Sequence, residues 1–122
     1  MENQKEKLWI ELQGYSGTEH WHFLPYLKKY TYTDGVRYLA QKAEAYWLIE
    51  KIFFSQSDST TLRKEAFQVW DLKVSADKTA RLTCHDGENN RLHREKLTFT
   101  DFPLKEITLY FTNNVLLLPS EY

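Results

Sequence analysis

The chain has 122 residues, 42% of them hydrophobic, with 16 Lys and Arg against 17 Asp and Glu; this is the size and balance of one soluble domain, 1–122, able to bury about two-thirds of its unfolded surface. A formal charge of −1 provides no global field toward nucleic acid or an anionic membrane, and a single cysteine, Cys84, excludes an internal disulfide. The opening MENQKEKLWIELQG lacks the apolar core of a signal peptide and the length of a membrane span, so the cytoplasm is the expected compartment.

Within that opening, Leu8, Trp9 and Leu12 recur among mixed charges, which predicts a short amphipathic helix ended by Gly14. Residues 15–32 are aromatic, contain Gly17 and Pro25, and hold no sustained period. They read as an irregular segment or short strand crossing the core. Thr33 or Asp34 then caps a helix over VRYLAQKAEAYWLIEKIFF, Val36 to Phe54, about five turns long. Its wheel places Val36, Leu39, Ala40, Ala43, Tyr46, Trp47, Phe53 and Phe54 on one face and Tyr38, Ala45, Leu48 and Ile52 on the other. A helix apolar on two sides is covered on both, here by the sheet and by either the N-terminal segment or a second copy in a homodimer. SQSDSTTLRKE (55–65) is polar and breaker-rich, hence a loop.

From residue 67 the period becomes two. FQVWDLKV alternates Trp70, Leu72 and Val74 against Val69, Asp71 and Lys73, and ARLTCH sets Ala80, Leu82 and Cys84 opposite Arg81, Thr83 and His85. DGENN turns into RLHREKLTFT, where imperfect alternation predicts a bulge near His93 to Glu95. EITLYF and VLLL flank Asn113-Asn114, a tight hairpin turn. Pro119 ends the last strand, and Glu121 with the terminal carboxylate is expected to dock on basic side chains. Strands that follow a helix rather than alternate with helices predict an α+β fold. Its expected form is an antiparallel meander of four to five strands on one long helix, plus the short N-terminal helix.

TDGVRYLAQKAEAYWLIE (33–50), TDFPLKEITLYF (100–111) and VLLLPSEY (115–122), with GTEHW near the start, resemble a family catalogued as domain of unknown function 6876. The resemblance implies no reaction. It implies a bacterial protein, including ones carried on mobile elements.

GTEHWHF gathers Glu19, His20, Trp21, His22 and Phe23. In extended chain His20 and His22 share a side, a spacing that chelates a metal; no third ligand is evident, so no metal site is expected. Glu50 falls inside the apolar arc of the helix, where a charge costs several kcal/mol unless it is met. It is either paired with Arg37, a tyrosine hydroxyl or an indole N–H, or it floors an aromatic-walled pocket, or the helix phase differs and it lies at an edge. Cys84 and His85 point to opposite sides of a strand, so they form no nucleophilic pair and Cys84 is core. Arg91, His93, Arg94 and Lys96 form a basic run that suits edge-strand protection better than a phosphate track. No GxGxxG, P-loop, GxSxG, HExxH or CxxC pattern occurs, and no cofactor is expected.

The leading expectation is therefore a binding or regulatory module that meets a protein partner through Trp21, Tyr38, Tyr46 and Trp47, an inhibitor carried by a mobile element being one concrete form. The alternative is a small hydrolase or small-molecule-binding protein using Glu50 with Glu19, His20 or His22 in an aromatic pocket. Nucleic-acid binding through Arg91 to Lys96 is a weaker third.

Overall fold

The computed structural model describes residues 4–122. Helix α1 (Gln4–Gln13) ends before Gly14, as its pattern predicts. It buries Leu8 and Leu12 and leaves Trp9 half exposed. The aromatic segment after it forms a hairpin, β1 (His22–Leu24) and β2 (Leu27–Tyr32), which sends Leu24, Tyr30 and Tyr32 into the core.

The single long helix expected over Val36 to Phe54 is two helices, α2 (Asp34–Ala43) and α3 (Tyr46–Asp58). Between them Glu44 adopts φ 53° and ψ 49°, the left-handed region. The backbone N–H groups of Glu44 and Ala45 both donate to the Ala40 carbonyl, a Schellman-type ending built without the usual glycine. The break rotates everything beyond it about the helix axis. Leu48 and Ile52, assigned to a second apolar face by a continuous wheel, lie in the same core as Val36, Leu39 and Phe53. Each helix then has one buried face, and Glu50 moves from the centre of the arc to its half-exposed edge. Tyr38, on the other side of α2, is met by the N-terminal segment: its hydroxyl donates to Glu11 and its ring lies 5.6 Å from Tyr15.

Most of the expected loop over 55–65 is helical. Helix α3 continues to Asp58, and Ser59 Oγ accepts from the Leu62 N–H (3.2 Å) to cap α4 (Thr60–Arg63). Arg63 donates to the carbonyls of Gln56 (3.0 Å) and Ser57 (2.7 Å). Serine and threonine compete with helical hydrogen bonds in the interior of a helix and complete them at its ends. This turn also buries a polar pair: Gln56 and Gln68 exchange amide hydrogen bonds at 2.7 and 2.9 Å, and the Trp70 indole donates to Gln68 at 2.9 Å.

Strands β3 (Phe67–Val74), β4 (Ala80–His85) and β5 (Arg91–Leu97) form the expected antiparallel meander, with Trp70, Leu72, Leu82 and Cys84 turned inward. Its bulge lies at Leu92, just before the expected site, because Cys84 pairs with His93 but His85 pairs with Arg91. Strand β6 (Glu106–Thr112) then returns to the free side of β3 instead of extending past β5. Strand β7 (Val115–Leu117) follows through Asn113 and Asn114, whose φ values of 53° and 62° suit a tight turn. Finally β2 joins β7 in parallel. The α+β class holds, but the sheet is mixed and seven-stranded, in the order β1-β2-β7-β6-β3-β4-β5. A four- to five-stranded antiparallel meander fails at the two places where neighbours in the sheet are not neighbours in sequence.

The first turn of α2 ties these parts together. A helix leaves four N–H groups without intrahelical partners, and here each has one. Thr33 N donates to the Leu116 carbonyl of β7 (3.1 Å), Asp34 N to Thr18 Oγ1 (2.9 Å), Gly35 N to Glu121 Oε2 (3.0 Å) and Val36 N to Thr33 Oγ1 (3.3 Å). Glu121, in the 3₁₀ turn Pro119–Glu121, also accepts from the Thr33 hydroxyl (2.6 Å) and Leu118 N (2.9 Å). Its carboxylate therefore docks on a helix amino end, where the dipole favours a negative charge, and not on basic side chains. The approach requires Gly35: a Cβ there would lie 2.6 Å from Leu118 Cδ1 and 2.7 Å from Glu121 Oε1.

Glu121→Ala should cost about 1–2 kcal/mol, the usual range for a lost helix cap, and Gly35→Ala should lower the melting temperature by displacing the same carboxylate. Thermal unfolding of the two variants and of a chain truncated after Leu118 checks this, and an unchanged melt in all three would mean that the tail plays no part in the fold.

Candidate functional site

GTEHWHF wraps the side chain of Asp34, the first residue of α2. Glu19 contributes its backbone, whose N–H donates to Asp34 Oδ2 (3.0 Å), and the Thr18 hydroxyl donates to the His20 carbonyl (2.6 Å). His22 Nε2 lies 2.8 Å from Asp34 Oδ1, and His20 Nδ1 lies 3.9 Å from the same oxygen. An ionised carboxylate only accepts, so His22 donates from Nε2 and its tautomer is set. The His22 hydrogen bond, followed by the Glu19 N–H, holds the Asp34 carboxyl down at about 2. The His22 ring is partly buried and packs 5.6 Å from Tyr32, whereas the His20 side chain is 73% exposed.

The structure thus brings His20, His22 and the backbone of Glu19 together, and what they surround is Asp34 rather than Glu50. The arrangement is a latch: it satisfies a helix end and fixes the entry of β1. Among the described residues no group of three or more His, Cys, Asp or Glu side chains is placed to hold a metal ion.

Glu50 accepts a hydrogen bond from the Tyr26 hydroxyl, the tyrosine reading of its partner, and this contact raises the tyrosine pKa. It lies in an open cleft of about 420 Å³ lined by Trp47, Glu50, Lys51, Phe54, Ser55, Asp58 and Glu95. Among the described residues no histidine lines the cleft, although His93 Nε2 lies 3.6 Å from Glu95 Oε1. The Tyr26 ring stacks on Phe54 at 6.4 Å, and both are exposed. Lys51 donates to Glu95 (2.5 Å), which holds that carboxyl below its ordinary range. Trp47 is half-buried with its ring edge-on to Phe102, while Trp21 and Tyr46 are exposed. Tyr38 is occupied by Glu11, which pushes its hydroxyl up to about 12. Sequence reasoning missed Tyr26, because the turn that presents it has no periodicity. It also missed the role of Asp34 beyond a cap.

Cys84 is fully buried on β4, and burial pushes its thiol up to about 12. His85 points to the other side, toward Asp71 (3.3 Å). The basic run divides at the bulge: Arg94 is paired with Thr83 on the outer face, while His93 turns inward, 5.5 Å from Trp70.

Two outcomes follow. Asp34 is ionised more readily folded than unfolded, so its contribution to stability is complete above the ordinary carboxylate pKa of 3.8 and disappears as the pH falls through about 2. Asp34→Asn should therefore melt below the wild type at neutral pH, with the gap closing across that acid window in a calorimetric pH series. Cys84 should react with a thiol reagent only after unfolding, and labelling of the native protein at a free-thiol rate would contradict its place in the core.

No curated protein and no solved structure shows significant similarity to this chain. A family model does match, over residues 6–122, with the description Family of unknown function (DUF6876). The chain belongs to that family.

Proposed function

We propose that this protein is a binding and regulatory module that grips a cationic segment of a protein partner in the aromatic and acidic cleft of α3. One observation carries the reading: Glu50 accepts from the hydroxyl of Tyr26, whose exposed ring stacks on the exposed Phe54, in a cleft that also holds Trp47, Asp58 and Glu95. Among the described residues that line it, the one cation, Lys51, is engaged by Glu95. Aromatic faces and uncompensated carboxylates attract Lys and Arg side chains, and exposed aromatics in such settings supply most of the energy of an interface. An inhibitor carried by a mobile element is one form this role would take, decided by the partner's identity.

The partner of Glu50 is the Tyr26 hydroxyl rather than a histidine, which favours binding over hydrolysis. The openness of the cleft does so too, since small-molecule sites bury most of their ligand.

A peptide array probed with the full chain should be enriched in Lys- and Arg-bearing segments. Glu50→Gln and Phe54→Ala should each weaken the best of them by about tenfold, the loss of one charge-assisted or cation–π contact, with the melting temperature preserved. Enrichment in acidic peptides, or binding indifferent to both substitutions, would remove the proposal.

A further inference from the structure

Helices α2, α3 and α4 pack their core residues against one side of the sheet, while α1 reaches its margin, where Trp9, Leu12 and Gln13 share a pocket with Glu106, Ile107 and Thr108 of β6. Inward residues Trp70, Leu72, Leu82, Leu109 and Phe111 are buried, and the alternate residues form the opposite face, where strand register brings together cations far apart in sequence. Lys96 of β5 pairs with Arg81 of β4, Arg81 with Lys73 of β3, and Lys73 with Glu106 of β6. The adjacent row on this face runs Arg94, Thr83, Asp71, Thr108.

All four cations are exposed, and among the described residues none makes a salt bridge. Of the nearby carboxylates, Asp71 is engaged by His85 (3.3 Å) and the Thr108 hydroxyl (2.5 Å), Glu106 stands opposite Lys73, and Asp77, which interacts with Lys96, accepts from the Thr79 hydroxyl (2.7 Å). Like charges directly opposite each other destabilise a sheet. Edge protection accounts for Arg94 and Lys96 on the outer strand β5, but Arg81 and Lys73 stand on strands paired on both sides. Their alignment calls for an anion.

The far end of the same face is aromatic. Phe67 and Tyr110 lie 5.0 Å apart, and the exposed Tyr122 ring is 5.3 Å from one and 5.5 Å from the other. Lys73 and Phe67 are six residues apart on β3, roughly 20 Å along an extended strand, the reach of a few nucleotides. A basic row that tracks phosphates beside rings on which bases stack is the surface that single strands use.

We infer that this outer sheet face binds single-stranded nucleic acid, with Lys73, Arg81, Arg94 and Lys96 on the phosphates and Tyr110, Phe67 and Tyr122 against bases. The inference is independent of the α3 cleft. The test is fluorescence anisotropy of a short labelled single-stranded oligonucleotide with the full chain across a salt series. The expected dissociation constant lies in the range of roughly 10⁻⁴ to 10⁻⁶ M. Lys73→Gln/Arg81→Gln should weaken binding at least tenfold and reduce the salt slope by about 1.4, two phosphates' worth for a single strand. Tyr110→Ala should weaken it with the slope unchanged. If the double variant does not fold, Arg94→Gln on the outer strand carries the same test with a slope change of about 0.7. No binding at low salt, equal binding of duplex, polyglutamate or anionic vesicles, or indifference of the folded variants to the charge changes would overturn it.

Discussion

The amino end of α2 is the constraint on which the rest depends. A helix must satisfy the N–H groups of its first turn, and here the acceptors come from Thr18, Thr33, Leu116 and Glu121. One short turn therefore fixes the N-terminal loop, the junction of β2 with β7 and the final residues of the chain. It also explains the parallel pairing. Once Thr33 N donates to Leu116, the β1–β2 hairpin lies along the only free edge the C-terminal hairpin offers, and the sheet grows from five strands to seven. Because these contacts join positions 86 and 88 residues apart, they carry a loop-closure cost that contacts between neighbouring strands do not.

What the sequence revealed and what it concealed divide along local and distant interactions. The alternation of β3 and β4, the Asn113-Asn114 turn, the Thr33 cap and α1 all rest on neighbours within a few residues, and all were legible. The return of β6 to β3 and the docking of β2 on β7 leave no local trace. Glu44 is the instructive miss. No glycine or proline announces the break, yet Leu48 and Ile52 on an apparent second apolar face were its signal, to be read as a change of phase rather than a second covered side. The same error of phase put Glu50 in the middle of the wheel's apolar arc, and of the alternatives open for it the edge position, met by a tyrosine hydroxyl, is the one found. In GTEHWHF the histidines drew attention, but the residue they serve, Asp34, was visible only as a cap.

Charge was concealed in another way. A net value of −1 describes a chain with no preference for anions or cations, and that is accurate only as a sum. The fold sorts the charges: Glu50, Asp58 and Glu95 gather around the α3 cleft, while Lys73, Arg81, Arg94 and Lys96 line up on the other side of the sheet. Positions 73, 81, 94 and 96 do not form a run in sequence. They become a row only through pairing register, so composition and local charge counts are blind to it. Surfaces on opposite sides of one sheet can be occupied together, without competition for space.

The elbow at Glu44 has a consequence for how the chain reaches this structure. Left-handed backbone is unfavourable for a residue with a side chain, and Glu44 and Ala45 are both good helix formers. No local backbone preference within residues 33–58 asks for the bend; only the placing of Leu48 and Ile52 does. Local propensity alone would continue the helix through Glu44 with two greasy flanks, and it is packing into one core with Val36 and Leu39 that brings Leu48 and Ile52 round to the same side. The bend is thus a product of the tertiary structure rather than a hinge around which it forms, a site where local preference yields to global packing.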